Sequence, residues 1–427
     1  MRQLRKSVLT CFLAFASHWA VAQQTALVAT WATGPQAGGA NPAELLDKIE
    51  GQTVRERARL SAGGAQISIR LSNEFGSTPL LIGSATIATP TDSASVKPDS
   101  IRILTFGGRT SITIPAGAPA LSDPVAFPVS PGTEVSVSLY FPQRVATPTV
   151  HLLALKQAVV SPRGDQTMAK TIEGATTLSS IALSAVLVPA QPAQRLVVAF
   201  GDSLVDGDQS SVDADRNWPD DLIRRLGKTP GGSKVAVINE GIIVNRLLGD
   251  AFGGVNGLAR FDRDALAMPG VTHVVLLEGI NDIGFPGAKL GGSYLADPAD
   301  LLSAEDVIQA YRQLIFRAHA RGVKLIGATM TPCEGVVIPG YYSETKDAVR
   351  QEVNKWIRTS ATLTASLTSM RFYAIQIAPV DCCRALLPRM VSIPMTRDIR
   401  SWRMQSISIY FGRFDSAFIA SVLAGFI

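Results

Sequence analysis

Val197-Val198-Ala199-Phe200-Gly201-Asp202-Ser203-Leu204 is an apolar run that ends in Gly-Asp-Ser-Leu. A short apolar run broken by Gly-Asp-Ser reads as a buried parallel strand that turns sharply and presents a hydroxyl at its carboxyl end. In open α/β sheets that end is where ligands bind. A plain strand-to-loop turn can carry the same four residues, so the rest of the chain must decide.

Outward from this run, the sequence from Arg195 alternates strand and helix patterns. Apolar strands are predicted at Leu196–Phe200, Val235–Ile238, His273–Leu277 and Lys324–Ala328. Helical patterns fall between them, notably Trp218–Leu226 and Ser303–Ala320. The latter opens with Ser303-Ala304-Glu305-Asp306, an N-cap with acids in the first turn, and ends at Arg321-Gly322. Alternating βαβ units predict an α/β domain over 195–360 with a parallel, doubly wound sheet.

Residues 25–190 read differently. Gln66–Ser72, Thr110–Ile114 and Glu134–Tyr140 alternate apolar and polar residues, the period of a strand with one buried face. Turn signals at 73–76, 106–108 and 115–117 separate them. Many short strands with few helical patterns predict an all-β, sandwich-like domain. Pro189-Ala190-Gln191-Pro192 reads as the linker between two domains, each expected to have its own core.

Composition sets the outer bounds. A chain of 427 residues with 46% hydrophobic and 18% charged residues is globular rather than disordered. A net charge of +5 with scattered basic residues gives no nucleic-acid footprint. Residues 1–22 read as a secretory signal: Arg2, Arg5 and Lys6 precede an apolar stretch that ends at Ala20-Val21-Ala22. The apolar run is short for a membrane anchor. The expectation is a secreted or periplasmic protein with no membrane span once the signal is removed. Cysteine spacing gives neither a metal site nor a disulfide framework.

Three segments stand where strands of the second domain hand over to loops. They are Gly201-Asp202-Ser203-Leu204, Asn239-Glu240-Gly241-Ile242-Ile243-Val244-Asn245-Arg246 and Leu277-Glu278-Gly279-Ile280-Asn281-Asp282. In a parallel sheet these loops emerge at one pole. A hydroxyl, backbone amides and a carboxamide can converge there, which is the minimum kit for acyl transfer. Asn281 or Asp282 alone would read as a loop-capping side chain.

In this order the blocks Gly-Asp-Ser-Leu, Asn-x-Gly and Gly-x-Asn-Asp resemble the GDSL, or SGNH, hydrolases, a family of serine esterases and acyl hydrolases. The flanking text, Asp213–Pro219 and Arg260–Asp264, is similar to a secreted branch with an N-terminal β domain, close to arylesterases and acyl hydrolases of plant-polysaccharide breakdown. The resemblance runs from about Trp31 to Arg358. It implies a flavodoxin-like fold, Ser203 as nucleophile, and Ser203, through its amide, and Asn281, through its side chain, as oxyanion donors. It implies no metal or cofactor, and a small-molecule or polysaccharide ester as substrate.

The chain departs from the family pattern twice. The family's second block carries a glycine whose amide faces the oxyanion, within Gly-x-Ser-Gly-Asn. Here Val244 takes that place, and valine cannot adopt glycine's backbone conformations. The family's acid and base follow near the C-terminus as Asp-x-x-His, yet no histidine follows His319. His18 belongs to the signal, and His151 to the β domain. His273 opens its strand, roughly 20 Å or more from the active pole at about 3.3 Å per residue. His319 ends a helix at the opposite pole. All read as structural, and without a base Ser203 is a weak nucleophile.

Residues 361–427 change texture. They hold four of the eight methionines and neither glutamate nor lysine. Leu367-Thr368-Ser369-Met370 can be encoded by TTG-ACT-TCG-ATG; one nucleotide earlier, with a preceding A, this reads Ile-Asp-Phe-Asp, a final-strand sequence of the family. In the same frame Arg389–Ile399 permits Asp-Gly-Val-His-Pro-Asn-Asp-Ala-Gly-Tyr. A frameshifted tail is therefore expected, with genuine divergence as the alternative. Two other functional readings stay open for the chain as written: a pocket that binds without catalysing, and a carbohydrate-binding role carried by the β domain.

Overall fold

The structure, a computed structural model, describes residues 26–38, 49–250, 253–360, 362–363 and 365–367. The signal expected over 1–22 and all but the first few residues of the tail expected from 361 lie outside the described residues.

The stretch 196–200 is apolar throughout because both faces of its strand are covered. Arg195–Gly201 is an interior strand, second in a parallel sheet with the spatial order Val235–Gly241, Arg195–Gly201, Val271–Leu277, Lys324–Ala328, Ala365–Leu367. Alternate side chains go to opposite faces. Leu196, Val198 and Phe200 join the core that holds Phe261 and Ala265, whereas Val197 and Ala199 pack with Trp218, Leu222 and Leu226. The expected strands are all present, three of them longer than read.

Six helices accompany the sheet: α1 (Ser203–Asp206), α2 (Trp218–Leu226), α3 (Gly257–Phe261), α4 (Ile280–Gly284), α5 (Ala304–Ala320) and α6 (Glu344–Thr359). Asn217 caps α2 through the Asp220 amide, and α5 opens on the expected Ser303 N-cap, which closes into a capping box with Asp306. No helix among the described residues is long and apolar enough to cross a membrane.

The N-terminal region forms two main antiparallel sheets. One runs Leu27–Ala32, Leu183–Pro189, Gly64–Ser72, Val125–Val129; the other runs Ala175–Thr177, Ala158–Arg163, Gln52–Arg59, Glu134–Phe141, Ser84–Ala88, Arg102–Ile103. Their inward residues, among them Ile67, Ile69, Leu71, Val54, Val135 and Val137, share one core. The alternation over 110–114 yields a strand only at Ile112–Ile114.

The expectation of two separate cores needs correcting, because the apolar core runs continuously from this region into the parallel sheet. The reason is the sheet edge. Val235–Gly241 is an edge strand, and such edges need cover. The strand Leu27–Ala32 packs beside it, and the Val237 amide donates to Ser61 Oγ at 3.1 Å. Ion pairs seal the flank: Arg57 meets Asp213, Arg59 Nε lies 2.6 Å from Asp215, and Lys156 Nζ lies 2.8 Å from Asp215.

Candidate active site

Parallel register brings the three chemistry-bearing segments to one end of the sheet. Gly201 pairs with Gly241 on one side and Leu277 on the other, so the chain leaves all three strands at one level. Gly201 must be glycine: a Cβ there would lie 1.9 Å from the Leu277 carbonyl oxygen. That close passage sharpens the turn into Ser203. Asp202 caps α1 by accepting the Leu204 amide at 2.9 Å. Ser203 is the first residue of α1 and partly exposed. Its amide has no acceptor among the described residues.

The second segment folds back beside it. The Ile242 amide donates to the Gly201 carbonyl at 3.0 Å and the Asn245 amide to the Ile242 carbonyl at 3.2 Å. Val244, between them, has φ 56°, in the left-handed region that β-branched residues occupy only under strain. This is the position where the resemblance implies glycine, so the backbone retains the shape while the side chain opposes it. The Val244 amide also has no acceptor among the described residues.

The third segment supplies the carboxamide. Asn281 lies in α4, after Gly279 at φ 108°. Its Nδ2 donates to the Asn245 carbonyl at 2.8 Å, and its Oδ1 accepts from Tyr341 Oη at 2.9 Å. The Asn245 carbonyl, which only accepts, therefore fixes which end of the amide is the donor, and Tyr341 holds the other end, leaving one N–H of Nδ2 for a ligand. Gly284 lets the tyrosine approach, since a Cβ there would lie 2.4 Å from its ring. Asp282 does bind backbone: its carboxylate accepts the Leu247 and Leu248 amides at 2.6 and 2.8 Å.

Beneath this pole sits a residue that local patterns did not single out for a role. Arg260, fully buried in α3, donates Nη2 to the Gly201 carbonyl and Nη1 to the Glu240 carbonyl, both at 2.8 Å, and Nε to Asn245 Oδ1 at 2.8 Å. Its guanidinium lies 4.0 Å from the Phe200 ring centre and pairs with Asp264 and Glu278 at 3.3 Å each. One cation thus ties the first and second strand ends and the acid after the third. Crowded carboxyls surround it, and burial raises Asp202 to about 7 and Asp282 to about 6. Burial, then repulsion from Asp264, raises Glu240 well above the usual carboxylate range.

The histidines divide by place. His273 lies near the starts of its neighbouring strands, where burial and then the charges of Lys324 and Arg195 lower it to about 4. His319 is in the last turn of α5. His151, assigned from the sequence to the β-rich region alone, reaches the active pole: its Nε2 lies 3.0 Å from Asp206 Oδ1 and its Nδ1 3.0 Å from the Gly34 carbonyl oxygen. Among the described residues no group of three His, Cys, Asp or Glu side chains could hold a metal ion.

Residues 199–367 match the GDSL-like Lipase/Acylhydrolase family, so this segment is a GDSL-like lipase/acylhydrolase domain. Among solved structures it is similar to AlinE4, an SGNH-hydrolase family esterase, at 15% identity over 54% of this chain and 92% of that one, with a TM-score of 0.29. It is also similar to TesA, at 20% identity over 40% of this chain and 77% of that one, TM-score 0.29. A GDSL-like lipase from Bacteroides thetaiotaomicron VPI-5482 aligns at 17% identity over 43% of this chain and 72% of that one, TM-score 0.29. These values are too low for any of the three to say more about this chain. No curated protein matches it.

Proposed function

We propose that this is an exported serine acyl hydrolase of the GDSL type, acting on acyl or acetyl esters of small molecules or polysaccharides. Ser203 Oγ is the nucleophile. The Ser203 and Val244 amides and Asn281 Nδ2 receive the charge that develops on the ester carbonyl oxygen. One observation carries this reading: the Asn281 carboxamide is fixed against Asn245, next to Val244, at the level where the first strand ends in Ser203.

A second reading, a pocket that binds acyl groups without turning them over, is favoured by the imidazoles. His273 and His319 sit away from this pole, and both ring nitrogens of His151 face other acceptors. On this second reading the chain should hydrolyse p-nitrophenyl acetate barely above background. Robust turnover abolished by Ser203→Ala would exclude the binding-only reading. We further propose that the segment from 361 is read out of frame. Inserting or deleting one nucleotide upstream of codon 367, to restore Asp-x-x-His, then raises soluble yield and esterase activity together. A restored chain that stays insoluble and inactive would refute the frameshift. The export signal is checked by N-terminal sequencing of secreted or periplasmic material, expected to begin at Gln23; an intact Met1 would contradict it.

A further inference from the structure

Asp206 closes α1, the short helix that Ser203 opens, and its carboxylate is shared. Oδ1 faces His151 Nε2 at 3.0 Å, and Oδ2 accepts the Ile243 amide at 2.8 Å. His151 ends the strand Thr149–His151 of the β-rich region, and its Nδ1 faces the Gly34 carbonyl oxygen at 3.0 Å. Gly34 in turn abuts the second segment: a Cβ there would lie 2.7 Å from Ile242 Cγ1. His151 and Asp206 are both buried. One carboxylate thus joins the nucleophile's helix, the residue before Val244 and the β-rich region.

Counting hydrogens settles the charge of the unit. A backbone carbonyl only accepts, so Nδ1 must carry a hydrogen. An ionised carboxylate also only accepts, so Nε2 must carry one too. The unit holds two protons, in its ionic form an imidazolium against a carboxylate. Removing one leaves a buried acceptor facing an acceptor, which costs about as much as an unsatisfied polar group.

We propose that His151 is a positioning residue for Ser203: its protonated ring, supplied by the β-rich region, clamps Asp206 and thereby holds α1 and the Ile243–Val244 turn in register. The proposal deepens the acyl-hydrolase reading and rests on it for its functional sense. It also gives the β-rich region a part in the active pole beyond covering the sheet edge.

Several charged groups act on the clamp. Burial opposes the imidazolium, but the Asp206 charge and the hydrogen bonds to Asp206 and Gly34 outweigh it, while Arg260 of α3 works against it. The net effect raises His151 above its ordinary value. A raised imidazole stabilises the fold fully below the ordinary histidine range, and that contribution is lost as pH climbs through the folded-state value. The clamp therefore loosens on the alkaline side. The pair borders a cavity of about 70 Å³, also lined by Arg59, Lys156, Asp215, Arg216 and Asp220, which gives protons a route to it. Burial, then repulsion from Asp215, raises Asp220 to about 7.

The test uses the full chain labelled with ¹⁵N-histidine, with His151 assigned from the spectrum of His151→Gln. At neutral pH both ring nitrogens should carry protons, and one should be lost on the alkaline side. Protection factors of the amides of 204–207, 242, 243 and 245, which are corrected for base-catalysed intrinsic exchange, should then fall by about tenfold or more in step with that titration. In His151→Gln the same amides should exchange fast at every pH, as they should in Asp206→Asn. Fluorophosphonate labelling of Ser203, read by mass spectrometry, should fall over the same alkaline range in the wild-type chain and follow no such profile in His151→Gln. A neutral His151 ring at neutral pH, or exchange that ignores its titration, overturns the proposal. If His151→Gln misfolds, His18→Gln, His273→Gln and His319→Gln assign the His151 signal by elimination, so the wild-type titration stays readable. If the amides loosen as expected while Ser203 stays inert at every pH, the clamp stands and the acyl-hydrolase reading fails.

Discussion

Two turns flank the candidate site, and they meet the same kind of backbone demand in opposite ways. At residue 201 the first strand passes so close to Leu277 that only glycine fits, and glycine is there. At residue 244 the backbone takes φ 56°, which glycine adopts freely, and a buried valine is there. The turn at 201 is thus locally consistent, whereas the turn at 244 stores strain held by its surroundings. Arg260 is part of those surroundings, since it grips the Gly201 carbonyl and the Asn245 side chain together.

Removing that grip should have the largest effect. Arg260→Leu strips the counter-charge from Asp264 and Glu278 inside the core, and breaking a buried pair costs about 3–5 kcal/mol. Urea midpoints should fall accordingly, and amide exchange should rise at both turns. A loss confined to one turn would show that Arg260 does not couple them.

Gly201→Ala attacks the consistent turn alone. Its Cβ would press on the Leu277 carbonyl oxygen and, at 2.5 Å, on Val205 Cγ2. Overpacking against backbone costs about 1–3 kcal/mol. Because α1 must shift, Ser203 labelling should slow as well. Unchanged stability would mean the strand end is more yielding than its geometry indicates.

How much of this contrast could be read in advance follows from the range of each interaction. Lys324–Ala328 and Trp218–Leu226 form the elements expected of them, because apolar runs, caps and flanking glycines act over a few residues. The Val244 departure was visible because one block can be laid against a family pattern. Its left-handed backbone was not, since φ depends on how the turn packs. Arg260 and His151 escaped for a different reason. Arg260 meets Gly201 from 59 residues away, and His151 meets Asp206 from 55. A lone arginine or histidine carries no periodic signal for such a partner. Continuity of the core across Pro189–Pro192 was hidden in the same way, because a linker composition says nothing about what the flanking strands touch.

Glu240 tests whether the region beneath the pole tolerates charge. Its carboxyl is wholly buried, and neither side-chain oxygen has a hydrogen-bond partner among the described residues. Its folded-state value is raised, first by burial. The stability it permits is complete below the ordinary glutamate range and is lost as pH rises through the folded-state value. Glu240→Gln removes that dependence, so the variant should gain steadily on the wild type as pH rises above the ordinary glutamate range. A stability difference independent of pH would show that Glu240 ionises freely in place.

Val244→Gly should change stability least and reactivity most informatively. Two terms oppose each other. Glycine relieves a left-handed conformation that costs an L-residue about 1–2 kcal/mol. It also deletes a buried valine side chain, 7% exposed, worth about 1.5–3 kcal/mol. The net loss should stay within about 1 kcal/mol, a shift of a few degrees at most in melting temperature. Reactivity is not balanced in this way. The freed backbone can aim its amide at the oxyanion, and no branched side chain crowds the acyl group. Losing a well-aimed donor costs about 10²–10³ in rate, so restoring part of one should speed Ser203 labelling several-fold. Adding Asn281→Ala to this variant should erase most of the gain if both donors serve one oxyanion. A folded Val244→Gly chain whose Ser203 reacts no faster would place the oxyanion elsewhere. The strained turn would then be a structural accident rather than a weakened half of the site.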